Sequence, residues 1–288
     1  MEQYKKKIAI ISFEAGSAEL LAKYLKKKNI DNYVFFLNYV SEKIFKINNI
    51  KVTSSKPVIK SFTNIRKIIF GASYDNKEIK LINKIKKKIK TECFLDHWVF
   101  YKKRFTLNKK IYSPNKIIVF DKAALQLIKK IKFKNTKIIL KKNPLLDRFK
   151  KIHIEHNINK KKSVIFLNNV SLKNEKSKEY LSNSLLIKNS IKILKITNID
   201  KKYYIKLHPS NNEKLYINYI KKFKNLILIK KDKLEKILSV SKIIITNNSA
   251  VLFYANKMGI KNINVIKDNI NTIPAKYLKK VININSLK

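Results

Sequence analysis

Two short polar runs, each directly behind an apolar segment, have the composition to hold an anion. The first is His208-Pro209-Ser210-Asn211-Asn212, which follows Tyr203-Tyr204-Ile205-Lys206-Leu207. An imidazole at a strand end can donate to a phosphate oxygen, and Pro209 prevents the strand from continuing. The second is Thr246-Asn247-Asn248-Ser249-Ala250, behind Lys242-Ile243-Ile244-Ile245 and ahead of a helical segment Val251–Met258. Asparagine tolerates the left-handed conformation that glycine normally supplies, so Asn247 and Asn248 can shape a tight turn in a chain with 3 glycines. Ser249 then stands near the helix N-terminus, where a hydroxyl and backbone amides can grip a phosphate. Both motifs would cap their elements even with no ligand.

A third stretch, Cys93 to Phe105, brings a carboxylate (Asp96), an imidazole (His97), the single tryptophan (Trp98) and an arginine (Arg104) together just after a strand. Asp or His with a tuned pKa can take a proton from a hydroxyl. Aromatic rings stack on sugars, and they fill cores at least as often. The alternative role for this stretch is an Asp-capped turn with Trp98, Phe100 and Tyr101 packed inside. Glu14-Ala15-Gly16-Ser17 follows the first strand and offers Glu14, with Glu19, as a second carboxylate. It lacks the G-x-G-x-x-G pattern, which disfavours an ordinary dinucleotide site. Asn168-Asn169 follows the first strand of the second half and can cap or line a site. His153 and His156 fall in a polar connection and are expected in solvent.

The elements that must position these groups alternate strand and helix. Ile8–Phe13 is a near-continuous apolar run, as in a parallel strand buried on both faces. A helix Ala18–Lys28 follows, then strand Tyr33–Leu37, helix Val40–Ile47, strand Ile50–Thr53, helix Pro57–Thr63 and strand Lys67–Phe70. Helix Asn76–Ile89, strand Cys93–Leu95, strand Lys116–Phe120, helix Lys122–Ile131 and strand Lys137–Leu140 complete a first half. Residues 142–162 form a boundary with Pro144 and a basic run. Strands are then expected at Ser163–Leu167, Tyr203–Leu207, Leu226–Ile229, Lys242–Ile245 and Asn262–Ile266. Helices are expected at Lys178–Thr197, Glu213–Phe223, Lys233–Ser239 and Val251–Met258. Such alternation implies a parallel, doubly wound α/β sheet, so the expectation is two Rossmann-like domains, 1–150 and 160–288, facing a cleft.

Composition bounds the rest. At 288 residues and 45% apolar content the chain can bury a real core, so disorder is excluded despite a net charge of +47. Cys93 is the single cysteine, the 4 histidines are scattered, and neither a disulfide framework nor a metal-ligand spacing is present. No apolar run approaches the roughly 18 residues a membrane helix needs. The N-terminal run is too short and too soon acidic for a signal peptide. A reducing, cytoplasmic setting fits. The charge is almost all lysine, with arginine at Arg66, Arg104 and Arg148, and it is spread along the whole chain. Specific nucleic-acid readers lean on arginine, so no specific nucleic-acid partner is expected. Abundant Lys, Ile and Asn, all with A/T-rich codons, match a base-biased genome. Non-specific attraction to anionic membrane surfaces at the inner face of the membrane remains.

Leu207-His208-Pro209 followed by Ile243-Ile244-Ile245-Thr246-Asn247-Asn248-Ser249-Ala250 and an apolar helix resembles the C-terminal half of bacterial GT-B glycosyltransferases. The resemblance spans about residues 160–266. Within that superfamily it is nearest to the sialyltransferase-like, capsule Kdo-transferase-like and CDP-glycerol glycerophosphotransferase-like enzymes. It implies that His208, Pro209, Thr246, Asn247, Asn248 and Ser249, with Asn168, hold the phosphate of a nucleotide-activated sugar donor. A CMP-linked acidic sugar is favoured, although paired serines are more usual than Asn-Asn-Ser in the relatives. It also implies that Asp96, His97 or Glu14 is the catalytic base. Gly16, Ser17, Trp98 and Arg104 would face a glycan or lipid-linked glycan acceptor, with the Gly71-Ala72-Ser73 turn and Asp75 beside them. No Asp-x-Asp occurs, so an inverting reaction with no metal and no cofactor is expected. The same half-fold occurs in nucleotide-sugar 2-epimerases, which release an isomer or free sugar without an acceptor. A basic nucleic-acid or membrane-surface binding protein is the third reading, and its affinity would collapse with salt without depending on nucleotide.

Overall fold

The computed structural model describes residues 7–26, 28–52, 62–85, 89–147, 149, 162–168, 181–197, 202–209, 211–229, 232–269 and 271–286. The chain divides into two compact units, Met1–Leu145 and Leu146–Lys288. Each is built on a six-stranded parallel sheet.

In the first unit the chain runs β1 (Lys7–Ser12), α1 (Ala15–Leu25), β2 (Tyr33–Leu37), α2 (Tyr39–Ile47), β3 (Ile65–Gly71) and α3 (Lys77–Asn83). It continues through β4 (Lys90–Phe94), α4 (Tyr101–Phe105), a hairpin of β5 (Thr106–Leu107) and β6 (Lys110–Ile111), β7 (Lys116–Val119), α5 (Lys122–Lys129) and β8 (Lys137–Leu140). The strand order is β2-β1-β3-β4-β7-β8. From β1 the chain steps to one side for β2 and crosses to the other for β3. The topological switch point therefore lies between β1 and β3, and their carboxyl ends are where such a sheet binds ligands. The buried strands are apolar throughout because helices cover both faces: Ile10, Ile11, Phe36, Ile69, Phe70, Phe94 and Ile118 are fully or almost fully out of solvent.

The second unit runs β9 (Lys162–Phe166), α6 (Asn183–Ile196), β10 (Tyr203–Lys206), α7 (Glu213–Ile220), β11 (Leu226–Ile229), α8 (Leu234–Ser239) and β12 (Ser241–Thr246). Then come α9 (Val251–Lys257), β13 (Lys261–Ile266), a 3-10 turn (Ala275–Tyr277) and β14 (Lys280–Asn283). Its order is β11-β10-β9-β12-β13-β14, with the switch point between β9 and β12. In-register pairs such as Ile205↔Ile165 and Ile244↔Val164 tie the centre of the sheet together. Ile165, Leu186, Leu194, Ile205, Ile245 and Val265 belong to one buried cluster.

Most expected elements are present to within a few residues, with the following differences. Ile50–Val52, the described part of the expected strand Ile50–Thr53, is irregular. The helix expected to reach Ile89 ends at Asn83, and the long helix of the second half starts at Asn183 behind a Ser182 cap. The helix α4, the hairpin β5–β6 and the edge strand β14 were not expected. The body of the helix expected at Pro57–Thr63, together with Asn169, Arg148, His153 and His156, lies outside the described residues. Among the described residues no helix is long and apolar enough to cross a membrane.

Candidate functional site

The carboxyl edge of the first sheet gathers three of the residues singled out in the sequence. Glu14 follows β1, Asp96 lies just past β4, and Arg104 sits in α4. One guanidinium nitrogen, Arg104 Nη1, lies 3.3 Å from Asp96 Oδ1 and 3.5 Å from Glu14 Oε2. The buried guanidinium is anchored by donating to the carbonyls of Val99 and Ala72. It therefore holds two carboxylates on a single cation. Phe100, at the start of α4, adopts a left-handed backbone (φ 56°), uncommon for a bulky residue and costing roughly 1–3 kcal/mol. That turn is what brings Arg104 back over the strand ends. Gly16 completes the arrangement by close approach: a Cβ there would lie 2.0 Å from Asp96 Oδ2.

Glu14 Oε1 also accepts from the Tyr74 amide, 2.7 Å, so it links the loops after β1 and β3. Burial raises the Glu14 pKa above the ordinary carboxylate value, the neighbouring Arg104 pulls it back, and Asp96 pushes it up again. A carboxylate lifted this way is a better base near neutral pH than an exposed one. Beneath it lies Glu78, a residue the sequence reading passed over, fully buried in the first turns of α3.

Other expected members have different partners. Ser17 is buried, and its hydroxyl pairs with Ser12 Oγ and donates to the Glu14 carbonyl. It shapes the loop and is not open to an acceptor. Trp98 is 7% exposed and donates through Nε1 to Asp121 Oδ2, 2.7 Å. Asp121 in turn caps α5 by accepting from the Ala123 and Ala124 amides. The packed indole offers no open face to a sugar, and the core role is the one observed. Its ring also meets His97 edge-on at 5.5 Å, so the imidazole packs against the same core indole. Asp75 forms a salt bridge with Lys77, at 2.6 Å. Within a chain of net charge +47, the loops after β1, β3, β4 and β7 place Glu14, Asp75, Asp96 and Asp121 along one sheet edge, with Glu78 in the first turn of α3 beside them. A surface depression of about 470 Å³ lies at the opposite end of β1 and β2, lined by Lys7, Asp31, Tyr33 and Lys51, and includes none of the candidate residues.

In the second unit the candidate donor residues meet at the switch point. Asn168, just past β9, donates through Nδ2 to Asn247 Oδ1, just past β12, at 3.0 Å. On the other side, Asn211 Nδ2 donates to the Asn168 carbonyl, and Asn211 Oδ1 accepts from the His208 amide at 2.9 Å. The Asn183 side chain clamps Asn168 from α6, accepting from its amide and donating to its carbonyl. Three strand ends thus share one hydrogen-bonded rim. Asn248 takes the left-handed conformation (φ 45°), as its residue type suggests. Its carboxamide oxygen accepts from Asn264 Nδ2 and the Thr272 amide, while Asn247 Nδ2 donates to the Val265 carbonyl.

These bonds change the assignment within the loop. Thr246, Asn247 and Asn248 are buried, and their side chains build the loop; they are not open to a phosphate. Thr246 Oγ1 is buried without a hydrogen-bond partner among the described residues. The part-exposed members are Asn168, His208, Ser249 and Ala250, with Pro209 in solvent. Ser249 Oγ accepts from the Val251 amide, 3.4 Å, at the entry to α9. Burial pushes the His208 pKa down to about 4, so near pH 7 its imidazole is neutral and offers a ligand a single N–H, not a positive charge. Among the described residues no group of three or more His, Cys, Asp or Glu could hold a metal ion.

No protein-family description matches the chain, and no curated protein matches it. Solved structures do. Two parallel-sheet α/β Rossmann-like domains are the shared fold, and the neighbours are GT-B-type glycosyltransferases and UDP-GlcNAc 2-epimerases. The Methanocaldococcus jannaschii UDP-GlcNAc 2-epimerase in complex with UDP-GlcNAc and UDP is 14% identical with a TM-score of 0.67, over 96% of this chain and 88% of that one. S. aureus MnaA with UDP is 11% identical with a TM-score of 0.60, over 90% and 79%. The wall teichoic acid polymerase TagF is 10% identical with a TM-score of 0.54, over 96% and 77%.

Proposed function

We propose that the chain is an inverting, metal-independent glycosyltransferase of the GT-B type. Its second unit holds a nucleotide-activated sugar, a CMP-linked acidic sugar by the motif resemblance. Its first unit presents a cell-surface glycan or lipid-linked glycan at the cytoplasmic face of an anionic membrane. The observation supporting this reading is that Asn168, His208 and the Asn247–Asn248 loop, picked from separate strand ends, share one hydrogen-bonded rim at the switch point. In the reaction, Asp96 or Glu14 takes the acceptor hydroxyl proton. The oxygen forms a bond to the anomeric carbon as the bond from that carbon to the phosphate oxygen breaks. The departing nucleotide takes the electron pair, and His208, Ser249 and nearby amides donate hydrogen bonds to it. Arg104 keeps the two carboxylates of the first unit aligned.

A second reading is a nucleotide-sugar 2-epimerase, favoured by the TM-score of 0.67 to an enzyme with that activity. It uses the same rim and needs no acceptor. Thermal unfolding in the presence of CMP, UDP, GDP and CDP tests both. One nucleotide is expected to stabilise the wild type by RT ln(1 + [L]/Kd), about 2.7 kcal/mol at one hundred times Kd, and not to stabilise His208→Ala. The rim survives that substitution, because the His208 contribution to it is a backbone amide. No response to any nucleotide sinks both enzyme readings. Product analysis with and without an acceptor glycan then separates transfer from epimerisation.

A further inference from the structure

Glu78 is 0% exposed, and each of its carboxylate oxygens serves a different loop. Oε1 accepts from the Phe13 amide and Oε2 from the Ser73 amide, both at 2.9 Å. Phe13 immediately precedes Glu14, and Ser73 immediately precedes Tyr74, whose amide is bonded to Glu14 Oε1. The Phe13 carbonyl is held from the other side by Asn38 Nδ2 at 2.8 Å. Both backbone groups of the residue before Glu14 are therefore fixed, one of them by a carboxylate inside the protein. We infer that Glu78 is a positioning residue: its ionised carboxylate ties the loops after β1 and β3 together and so sets where Glu14 stands beside Asp96 and Arg104. The inference rests on the reading of Glu14 and Asp96 as the base pair of the proposed reaction.

Two acceptor oxygens facing two N–H donors are satisfied only in the carboxylate form. A proton on one oxygen turns an acceptor toward a donor role and weakens one of the two ties. Burial raises the Glu78 pKa to about 7, so both forms are populated near neutral pH. The titratable groups that feel its charge are Lys77 on its own helix and Cys93 on β4, whose thiol burial keeps protonated, while the Arg104, Glu14 and Asp96 cluster lies beyond. Lowering the pH through about 7 is therefore expected to loosen the Glu14 loop without disturbing the second unit.

The ¹H–¹⁵N resonances of Phe13 and Ser73 are expected to titrate together with a midpoint near 7 in the wild type and to lose that titration in E78Q. In parallel, UDP-GlcNAc and CMP-N-acetylneuraminate are offered as donors, and kcat and KM are followed from pH 6 to 9. Wild-type kcat is expected to rise through pH 7. E78Q is expected to lose that limb and about 10-fold or more in kcat, as misplaced catalytic groups do, with the donor KM unchanged. Equal kcat and an unchanged pH limb in E78Q overturn the inference. So do Phe13 and Ser73 shifts that titrate near an ordinary carboxylate pKa or not at all. Should E78Q fail to fold, the wild-type resonances decide alone. Absence of wild-type turnover counts against the transfer reading, while the amide titration still answers for Glu78.

Discussion

Gly16 and Asp96 are far apart in sequence, yet the Cβ that any other residue would bring to position 16 falls 2.0 Å from Asp96 Oδ2. The carboxylate must move or the first turn of α1 must. Asp96 is bonded to Arg104 at 3.3 Å, so a displaced Asp96 also loosens the guanidinium that positions Glu14. The same economy of space recurs at Gly71, the last residue of β3, where a Cβ would lie 2.1 Å from Ser17 Cβ in α1. Gly16→Ala is accordingly expected to lower kcat on the order of 100-fold, the scale of a misplacement of about 1 Å. Its stability should fall by no more than about 1–2 kcal/mol, since position 16 is exposed on its outer side. Steady-state kinetics beside a urea unfolding curve measure both. Wild-type kcat in Gly16→Ala, with the melting transition unchanged, removes Asp96 from the chemistry.

At the scale of elements, the loop between β12 and α9 depends on one left-handed residue. Asn248 stands at φ 45° and spends its carboxamide on Asn264 and Thr272, so it supplies both the conformation and the bonds. Asn248→Gly keeps the first and loses the second, whereas Asn248→Ala loses both. The alanine variant is expected to be less stable than the glycine variant by roughly 1 kcal/mol, the steric cost of a left-handed alanine. Both should bind nucleotide less tightly than wild type; equal stability of the two denies that backbone strain matters here. This turn was legible in the sequence because Asn-Asn between an apolar strand and an apolar helix has few other uses. The central strands were legible for a related reason: parallel strands buried on both faces read as unbroken runs of Ile, Val and Phe. The hairpin β5–β6 was not, because Asn108 and Lys109 take positive φ without the glycine that usually marks such a turn. Glu78 was missed because local pattern shows a carboxylate in a lysine-rich helix, which suggests solvent, while its burial is decided by loops 65 and 5 residues away in sequence. Asn168 and Asn247 were legible as members of one site from their places after β9 and β12, but the bond between them was not, since residues 79 apart leave no local trace of it.

Over the whole molecule, Glu78 in the first unit and His208 in the second have pKa values shifted in opposite directions. Glu78 has its pKa raised from 4.5 to about 7 in the fold. Between those values the folded first unit binds the proton that the unfolded chain has released. Its contribution to stability is therefore complete below about pH 4.5 and is lost as pH rises through 7, to at most about 3 kcal/mol. His208 has its pKa lowered from 6.5 to about 4, so the unfolded chain binds the extra proton. Its contribution to the second unit is complete above pH 6.5 and lost as pH falls through 4. A single global probe would see the two partly cancel. Trp98 is the one tryptophan and belongs to the first unit, so its fluorescence isolates that unit's transition. With a net charge of +47, the measurement belongs at about 0.15 M salt, where a screening length near 8 Å suppresses long-range repulsion. Urea midpoints read from Trp98 should fall between pH 5 and pH 7 in the wild type and fall less in Glu78→Gln, with His208→Ala tracking the wild type. A Trp98 midpoint that rises across that range, or the same slope in Glu78→Gln, means that Glu78 is ionised at ordinary carboxylate pH and that burial has not moved it.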